Sequence, residues 1–208
     1  MRWLALVALL ILPTVAGGAI PPNAQKHIPT LREAFKTQWP AAPLKHISCG
    51  QIEQESSWKE NATLKTPREL GRGLVQMTIT KRFNIYLDAV KYKALRGWDW
   101  QNDPYNTKYQ LMFLVLQDRS NYSQSVAINE RESWMMTLVR YNAGGGRIAA
   151  RRRYATAQGT PTDRWIGGLE DAHGPLENSV LYGRPLWKAV NEYPRVIFKR
   201  AEKYVGAL

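Results

Sequence analysis

The sequence predicts a mainly α-helical protein of one domain, and three observations carry that prediction. Glu132 to Asn142 repeats its apolar residues with the helical period, and Tyr109–Leu116 is apolar all round, as a central buried helix is. No run alternates apolar and polar residues over a useful strand length. Pro40 with Pro43, and Gly144–Gly146, fall where helices should stop. At 208 residues the chain can bury one sizeable core and is short for two. Its 44% hydrophobic and 22% charged residues exclude disorder, collagen and a long coiled coil.

The elements follow in order. Residues 1–20 open with Met1 and Arg2, run apolar from Trp3 to Leu12, and end in small residues up to Ala19. That is the pattern of an export signal cleaved after Ala19. Counted through Ile20, the run approaches the roughly 20 residues a bilayer span needs, so an uncleaved, releasable anchor is the second reading. Either way, residues 20–208 form the folded part, which is expected outside the cytoplasm, in the periplasm or cell envelope.

After a linker at Pro21–Asn23, a helix is expected to start near Lys26–Thr30 and run to Trp39, and a second to cover Leu44–Ser57. Residues 59–73 read as a polar loop and Ile79–Lys93 as a helix. Asp103-Pro104 marks a helix start, capped by Asp103. Residues 156–185, rich in Gly, Pro and charge, read as irregular. Pro185 to Tyr204 offers one or two closing helices, divided near Pro194.

Charge is the unusual feature. There are 29 Lys and Arg against 17 Asp and Glu, a net charge of +12. Such a chain meets a polyanion. Removing residues 1–19 removes only Arg2, so the charge belongs to the exported part. Outside the cytoplasm the available polyanions are wall polymers and lipid headgroups, which argues against nucleic acid. The four arginines of Arg147–Arg153 suit an anionic wall polymer or a membrane surface, or form a solvated helix face. The single cysteine, Cys49, cannot form an internal disulfide and reads as a packed free thiol; no Cys/His set has zinc spacing. No metal or cofactor is expected.

On a helical wheel through Leu44–Trp58, Glu55 falls within the arc of Leu44, Ile47, Gln51 and Trp58, while Glu53 falls opposite and is expected to face water. A carboxyl in apolar surroundings has its pKa raised, which suits a general acid. The same placement also suits a helix-end glutamate held by a structural arginine. Gly71 and Gly73 let the backbone approach a bulky ligand, and Gln76 can both donate and accept hydrogen bonds. Tyr141 and Asn142 share a helix face and can both reach inward.

Glu55-Ser56-Ser57-Trp58 is followed by Gly71-Arg72-Gly73-Leu74-Val75-Gln76-Met77-Thr78, and later by Arg140-Tyr141-Asn142-Ala143-Gly144-Gly145-Gly146-Arg147. In this order the three motifs resemble those of the soluble lytic transglycosylase family and its relatives, the goose-type lysozymes. The family pattern is Glu-Ser, then Gly-x-x-Gly-Leu-Met-Gln or a close variant, then Tyr-Asn-Ala-Gly. The resemblance spans Glu55–Arg147 and extends, less specifically, to Asn191–Val196. It does not cover the N-terminus or residues 156–185.

The resemblance implies a lysozyme-like fold that cleaves the MurNAc–GlcNAc β-1,4 bond of peptidoglycan. Glu55 takes the position of the family's single catalytic glutamate. It would protonate the leaving oxygen, then act as base on the sugar's own 6-hydroxyl to close a 1,6-anhydro ring. That route departs from the two-carboxylate scheme of most glycosidases and uses no metal. Ser56, Gly73, Leu74, Gln76, Tyr141 and Asn142 match the segments that line the cleft. Glu69 stands where goose-type enzymes carry an acidic residue suspected of positioning water; it would favour hydrolysis if it faces the cleft, and otherwise is a solvated, paired loop residue.

Two positions depart from the pattern: Arg72 stands between the glycines and Val75 replaces Met. Gly-Arg-Gly-x-x-Gln-x-Thr also occurs in the plant-type chitinases, and Tyr141-Asn142-Ala143-Gly144 argues against that family. The expected partner is the peptidoglycan glycan strand, met by a monomer. Phage endolysin and bacterial wall-remodelling enzyme both fit, and a non-catalytic basic wall-binding protein is the rival from another class.

Overall fold

The computed structural model describes residues 18–181 and 183–208. The signal or anchor expected over residues 1–19 lies outside the described residues but for its last two positions. The described residues are mainly helical with a small antiparallel sheet. Their contacts gather into two compact units, one of residues 18–117 with Ile197–Leu208, the other of Asp118–Val196.

In the first unit, α1 (Pro22–Gln38) begins four residues before Lys26. Proline in a first helical turn has no N–H to satisfy and a φ already set for the helix, which explains the earlier start. Its buried stripe, Ala24, Ile28, Leu31 and Phe35, has the spacing of one helix face. Helix α2 (His46–Ser56) is buried along most of its length and stops where Ser57 and Trp58 adopt left-handed φ of 52° and 61°. Gly50 of α2 faces the backbone of Ile197–Ala201: a Cβ there would lie 2.5 Å from the Ile197 carbonyl oxygen and 2.8 Å from the Ala201 nitrogen. Both obstacles are main chain, so neither can rotate aside. Gly50→Ala is expected to cost roughly 1–3 kcal/mol by overpacking, read as a lower urea midpoint with an unchanged slope.

The expected loop over residues 59–73 and helix over Ile79–Lys93 are both corrected. Strands β1 (Thr63–Lys65), β2 (Glu69–Arg72), β3 (Met77–Thr80) and β4 (Phe83–Asn84) form one antiparallel sheet in chain order. The register pairs Leu64 with Gly71, Glu69 with Thr80, and Gly71 with Thr78. Strands of two to four residues are too short for alternation to show, and the Gly and Pro residues that read as loop lie in and between them. Only α3 (Ile85–Ala89) of the expected helix exists, capped by the Asn84 side chain, which accepts from the Tyr86 N–H at 3.0 Å. Tyr86 lies at the centre of an aromatic cluster, 5.2 Å from the Trp98 ring and 5.0 Å from that of Trp100; Trp98 also stacks on Tyr109 at 5.5 Å.

Helix α4 (Thr107–Ser123) supplies Thr107–Gln117 to this unit and carries the expected buried residues Leu111, Phe113, Leu114 and Val115. Its N-cap is Asn106, whose side chain accepts from the Tyr109 N–H at 3.2 Å. Asp103 instead accepts from the Asn106 side chain and, through its carbonyl, from the Trp98 indole.

In the second unit, α5 (Glu130–Ala143) is capped by Asn129, which accepts from the Glu132 N–H. The expected stop at Gly144–Gly146 is a single residue. Gly144, with φ of 83°, ends α5, and α6 (Gly145–Gln158) starts at once. Residues 159–185 are largely irregular, with tight turns at Trp165–Leu169 and Pro175–Asn178 and a small hairpin of β5 (Val180–Leu181) and β6 (Arg184–Pro185). Helix α7 (Leu186–Ala201) runs through Pro194 without dividing. The arginine run on α6 is not one solvated face. Arg151 is fully buried, bonded to both Glu177 oxygens (3.1 and 2.6 Å), to the Leu169 and Glu170 carbonyls and to Asn191.

Candidate functional site

The end of α2 and the sheet are joined directly. The Ser56 carbonyl accepts from the Lys59 N–H, the Lys59 carbonyl from the Ala62 N–H, and the Ala62 carbonyl from the Gly73 N–H at 2.7 Å. Three successive backbone bonds therefore tie the helix end that bears Glu55 to the β2–β3 turn that bears Gly73 and Gln76. Glu55 is half-buried, and its Oε2 is sealed from solvent.

Of the two glutamates of this helix, Glu53 does not have the position the wheel assigns. Glu53, expected to face water, is 7% exposed and accepts three hydrogen bonds. Arg200 Nη1 and Lys203 Nζ donate to its Oε1 at 3.2 and 3.0 Å, and the Tyr204 hydroxyl donates to its Oε2 at 2.5 Å. Trp58 Nε1 donates in turn to the Tyr204 oxygen at 2.9 Å. Burial, then the bond to Glu53, pushes the Tyr204 hydroxyl far up, so it stays a donor. The wheel misses this because the partners come from the far C-terminus, 147 to 151 positions away. Glu53 is the clamped carboxyl and Glu55 the half-buried one beside it. Glu53→Ala would leave Arg200 and Lys203 facing each other without a carboxylate. The expected loss is about 3 kcal/mol, measured by urea denaturation, and Glu53→Gln should recover part of it through the retained Tyr204 bond.

The β2–β3 turn is built around Gln76, which itself has a left-handed φ of 48°. Its Nε2 donates to the Gly73 carbonyl at 3.0 Å, and its Oε1 lies where a Gly71 Cβ would be, 2.6 Å away. Gly73 has φ of +76°, and a Cβ there would strike the Gln110 side chain at 2.1 Å. Both glycines are thus required by close approach of protein groups to each other. Leu74 is fully buried and belongs to the core, and the Ser56 hydroxyl donates back to the Ile52 carbonyl at 3.2 Å.

Glu69 is not a solvated loop residue. It lies in β2 at 4% exposure. The register puts it on the sheet face of Gly71, Thr78 and Thr80, the face over which the Gln76 amide lies. Of the expected cleft residues, Glu55, Glu69 and Gln76 are thus polar groups of one unit.

Tyr141 and Asn142 belong to the other unit, in the last turn of α5. Tyr141 is half-exposed. Asn142 is 5% exposed, and neither its Oδ1 nor its Nδ2 has a hydrogen-bond partner among the described residues. An amide buried in this way costs free energy unless something fills its hydrogen bonds.

The aromatics divide as well. Trp98 is packed inside, whereas Trp100, half-exposed, covers Tyr86. Cys49 is fully buried, and burial, with the Glu53 charge nearby, holds its thiol far up and unreactive. Among the described residues, no three His, Cys, Asp or Glu side chains are grouped as a metal ion would need, and no helix is long and apolar enough to cross a membrane. Compared with known proteins, the chain matches no family model and no curated protein.

Proposed function

We propose that this protein cleaves the MurNAc–GlcNAc β-1,4 bond of peptidoglycan as a lytic transglycosylase, with Glu55 as the single acid and base. The observation that carries the reading is a glutamate at the end of a buried helix, half-buried itself, whose helix end is hydrogen-bonded through the chain to an antiparallel sheet bearing the Gly-x-Gly-x-x-Gln turn. A proton donor must be partly shielded and still reach the bond. Glu55 is half-buried with its Oε2 shielded, which is compatible with that role, whereas Glu53 accepts from three C-terminal partners. The buried amide of Asn142, in the Tyr-Asn-Ala-Gly motif, supports a polar ligand contact in the second unit.

In this mechanism Glu55 protonates the glycosidic oxygen as the bond breaks. The carboxylate so formed then removes the proton of the sugar's 6-hydroxyl, which closes on the anomeric carbon. The glutamate is regenerated, and no water is consumed. We place the protein outside the cytoplasm, where its +12 charge meets the anionic envelope.

A specific observation favours a second reading, hydrolysis on the same fold. Glu69 shares a sheet face with the Gln76 amide, where a carboxylate can orient water. Mass spectrometry of fragments released from purified peptidoglycan separates the two. Anhydro-muropeptides, lighter by one water, are the expected product, and their yield should survive Glu69→Gln. Reducing-end muropeptides that vanish in Glu69→Gln would transfer the assignment to a muramidase. No fragments at all would leave a wall-binding protein.

A further inference from the structure

The loop between α4 and α5, residues 124–129, holds two aliphatic side chains in solvent. Val126 is 76% exposed and Ile128 56%, while Ser125 is buried and Ala127 half-buried, so the outward pair alternates with residues turned toward the protein. This is not a loosely hanging segment. Arg152 Nη2 donates to the Val126 carbonyl at 2.9 Å, and Arg140 Nη2 to the Gln124 carbonyl at 2.9 Å. The Ile128 N–H donates to the Asp163 carbonyl at 2.8 Å, the Ser125 hydroxyl to the Asn121 carbonyl at 2.7 Å, and Asn129 caps the next helix. Five bonds thus fix a loop whose two outermost aliphatic side chains avoid the core.

The surroundings are cationic. From Arg119 to Arg164 the chain has eight arginines and three acids; Arg151 is fully buried on Glu177, Arg147 approaches the same carboxylate and Arg164 pairs with Asp163, so the cations at the loop itself are Arg140 and Arg152. Of the acids, Glu132 is buried and spends its Oε2 on the Trp165 and Ile166 N–H groups, and Asp163 is paired with Arg164 at 3.2 Å. Only Glu130 is exposed without an ion pair among the described residues. Arg140 and Arg152 converge on the loop closely enough that burial and then the Arg152 charge lower the pKa of Arg140.

We propose that residues 124–129 form a docking site for an anionic lipid bilayer. Val126 and Ile128 enter the headgroup–acyl boundary, and Arg140 and Arg152 beside them meet lipid phosphates. The chemistry selects lipid over a dissolved polyanion. Aliphatic side chains gain nothing from a sugar-phosphate polymer in water, whereas they gain burial at a bilayer interface that also satisfies the cations. The inference does not depend on the proposed catalytic activity.

The test uses the full chain labelled at one position with an environment-sensitive fluorophore, through Val126→Cys or Ile128→Cys. Cys49, fully buried, takes no label. Ala94→Cys, on an exposed turn of the first unit, is the control. With vesicles of phosphatidylglycerol and phosphatidylcholine, labels at 126 and 128 should brighten several-fold, shift to the blue and be quenched by spin-labelled lipid, while the label at 94 stays aqueous. Three results would overturn the proposal. One is aqueous emission at 126 and 128 even when the chain sediments with vesicles through another segment. The second is the same immersion on phosphatidylcholine alone. The third is an equal response to soluble polyphosphate without lipid.

Discussion

Glu55→Gln is expected to lower the rate of peptidoglycan cleavage by about a thousandfold, the range that loss of a general acid and base produces. The amide has the size of the carboxyl but can neither deliver a proton to the glycosidic oxygen nor take one from the 6-hydroxyl. Both halves of the proposed reaction stop, so no product mixture should change in favour of hydrolysis. The loss should appear in kcat rather than in binding to insoluble peptidoglycan, because the substitution removes an interaction made in the transition state. Circular dichroism and the thermal midpoint of the variant check that the fold is retained. Full activity in Glu55→Gln would sink the assignment of this residue, and with it the reading of the first motif. The comparison with Glu53→Ala sharpens the result: that variant should lose stability first, and activity only in proportion to the folded fraction.

Glu177→Ala should destabilise the protein more than Gly50→Ala or Glu53→Ala. Arg151 is fully buried and directs Nε and Nη2 at the two Glu177 oxygens. Its guanidinium also lies 4.8 Å from the Trp165 ring centre, and Arg147 approaches the same carboxylate at 4.0 Å. Removing the carboxylate leaves a desolvated cation with no counter-charge, at a cost of about 3–5 kcal/mol. That is a large share of the roughly 5–15 kcal/mol by which a domain is stable. Arg151→Met in the Glu177→Ala background should restore part of the loss, since an apolar side chain of similar length fills the space without needing a partner. Thermal and urea unfolding of the two variants measure both effects. If Glu177→Ala unfolds at the wild-type midpoint, the buried ion pair is not what orders residues 165–178.

The helices with long apolar stripes are legible in the amino-acid sequence. Residues 132–142 and 109–116 lie within α5 and α4 because a buried helix face imposes its period on many residues at once. The sheet is not legible: β1 to β4 contain two to four residues each, and their pairing depends on neighbours at turns. Asn106 rather than Asp103 caps α4 because the cap must reach the Tyr109 N–H, a matter of geometry over three residues. The glycines at 144–146 read as one stop, although a single residue in left-handed φ suffices to turn the chain and leaves the next two to start a helix.

For the candidate site, the order of the motifs is legible in the sequence, and the choice of Glu55 comes from its place on the helical wheel and from the Glu-Ser motif. Their surroundings do not. Leu74 and Ser56 are spent on core packing and on a helix carbonyl. Glu69 lies in a strand where a loop is expected. Glu53, placed in water by its position on the wheel, is held by Arg200, Lys203 and Tyr204 from the other end of the chain. Periodicity records which side of a helix is apolar; it contains no information about which distant charge will be brought to the other side. Sequence by itself therefore determines the helical class, the positive charge and the order of the three motifs. Only tertiary structure decides which of two neighbouring glutamates the C-terminus clamps, because burial and pairing of a charge are properties of what folds against it.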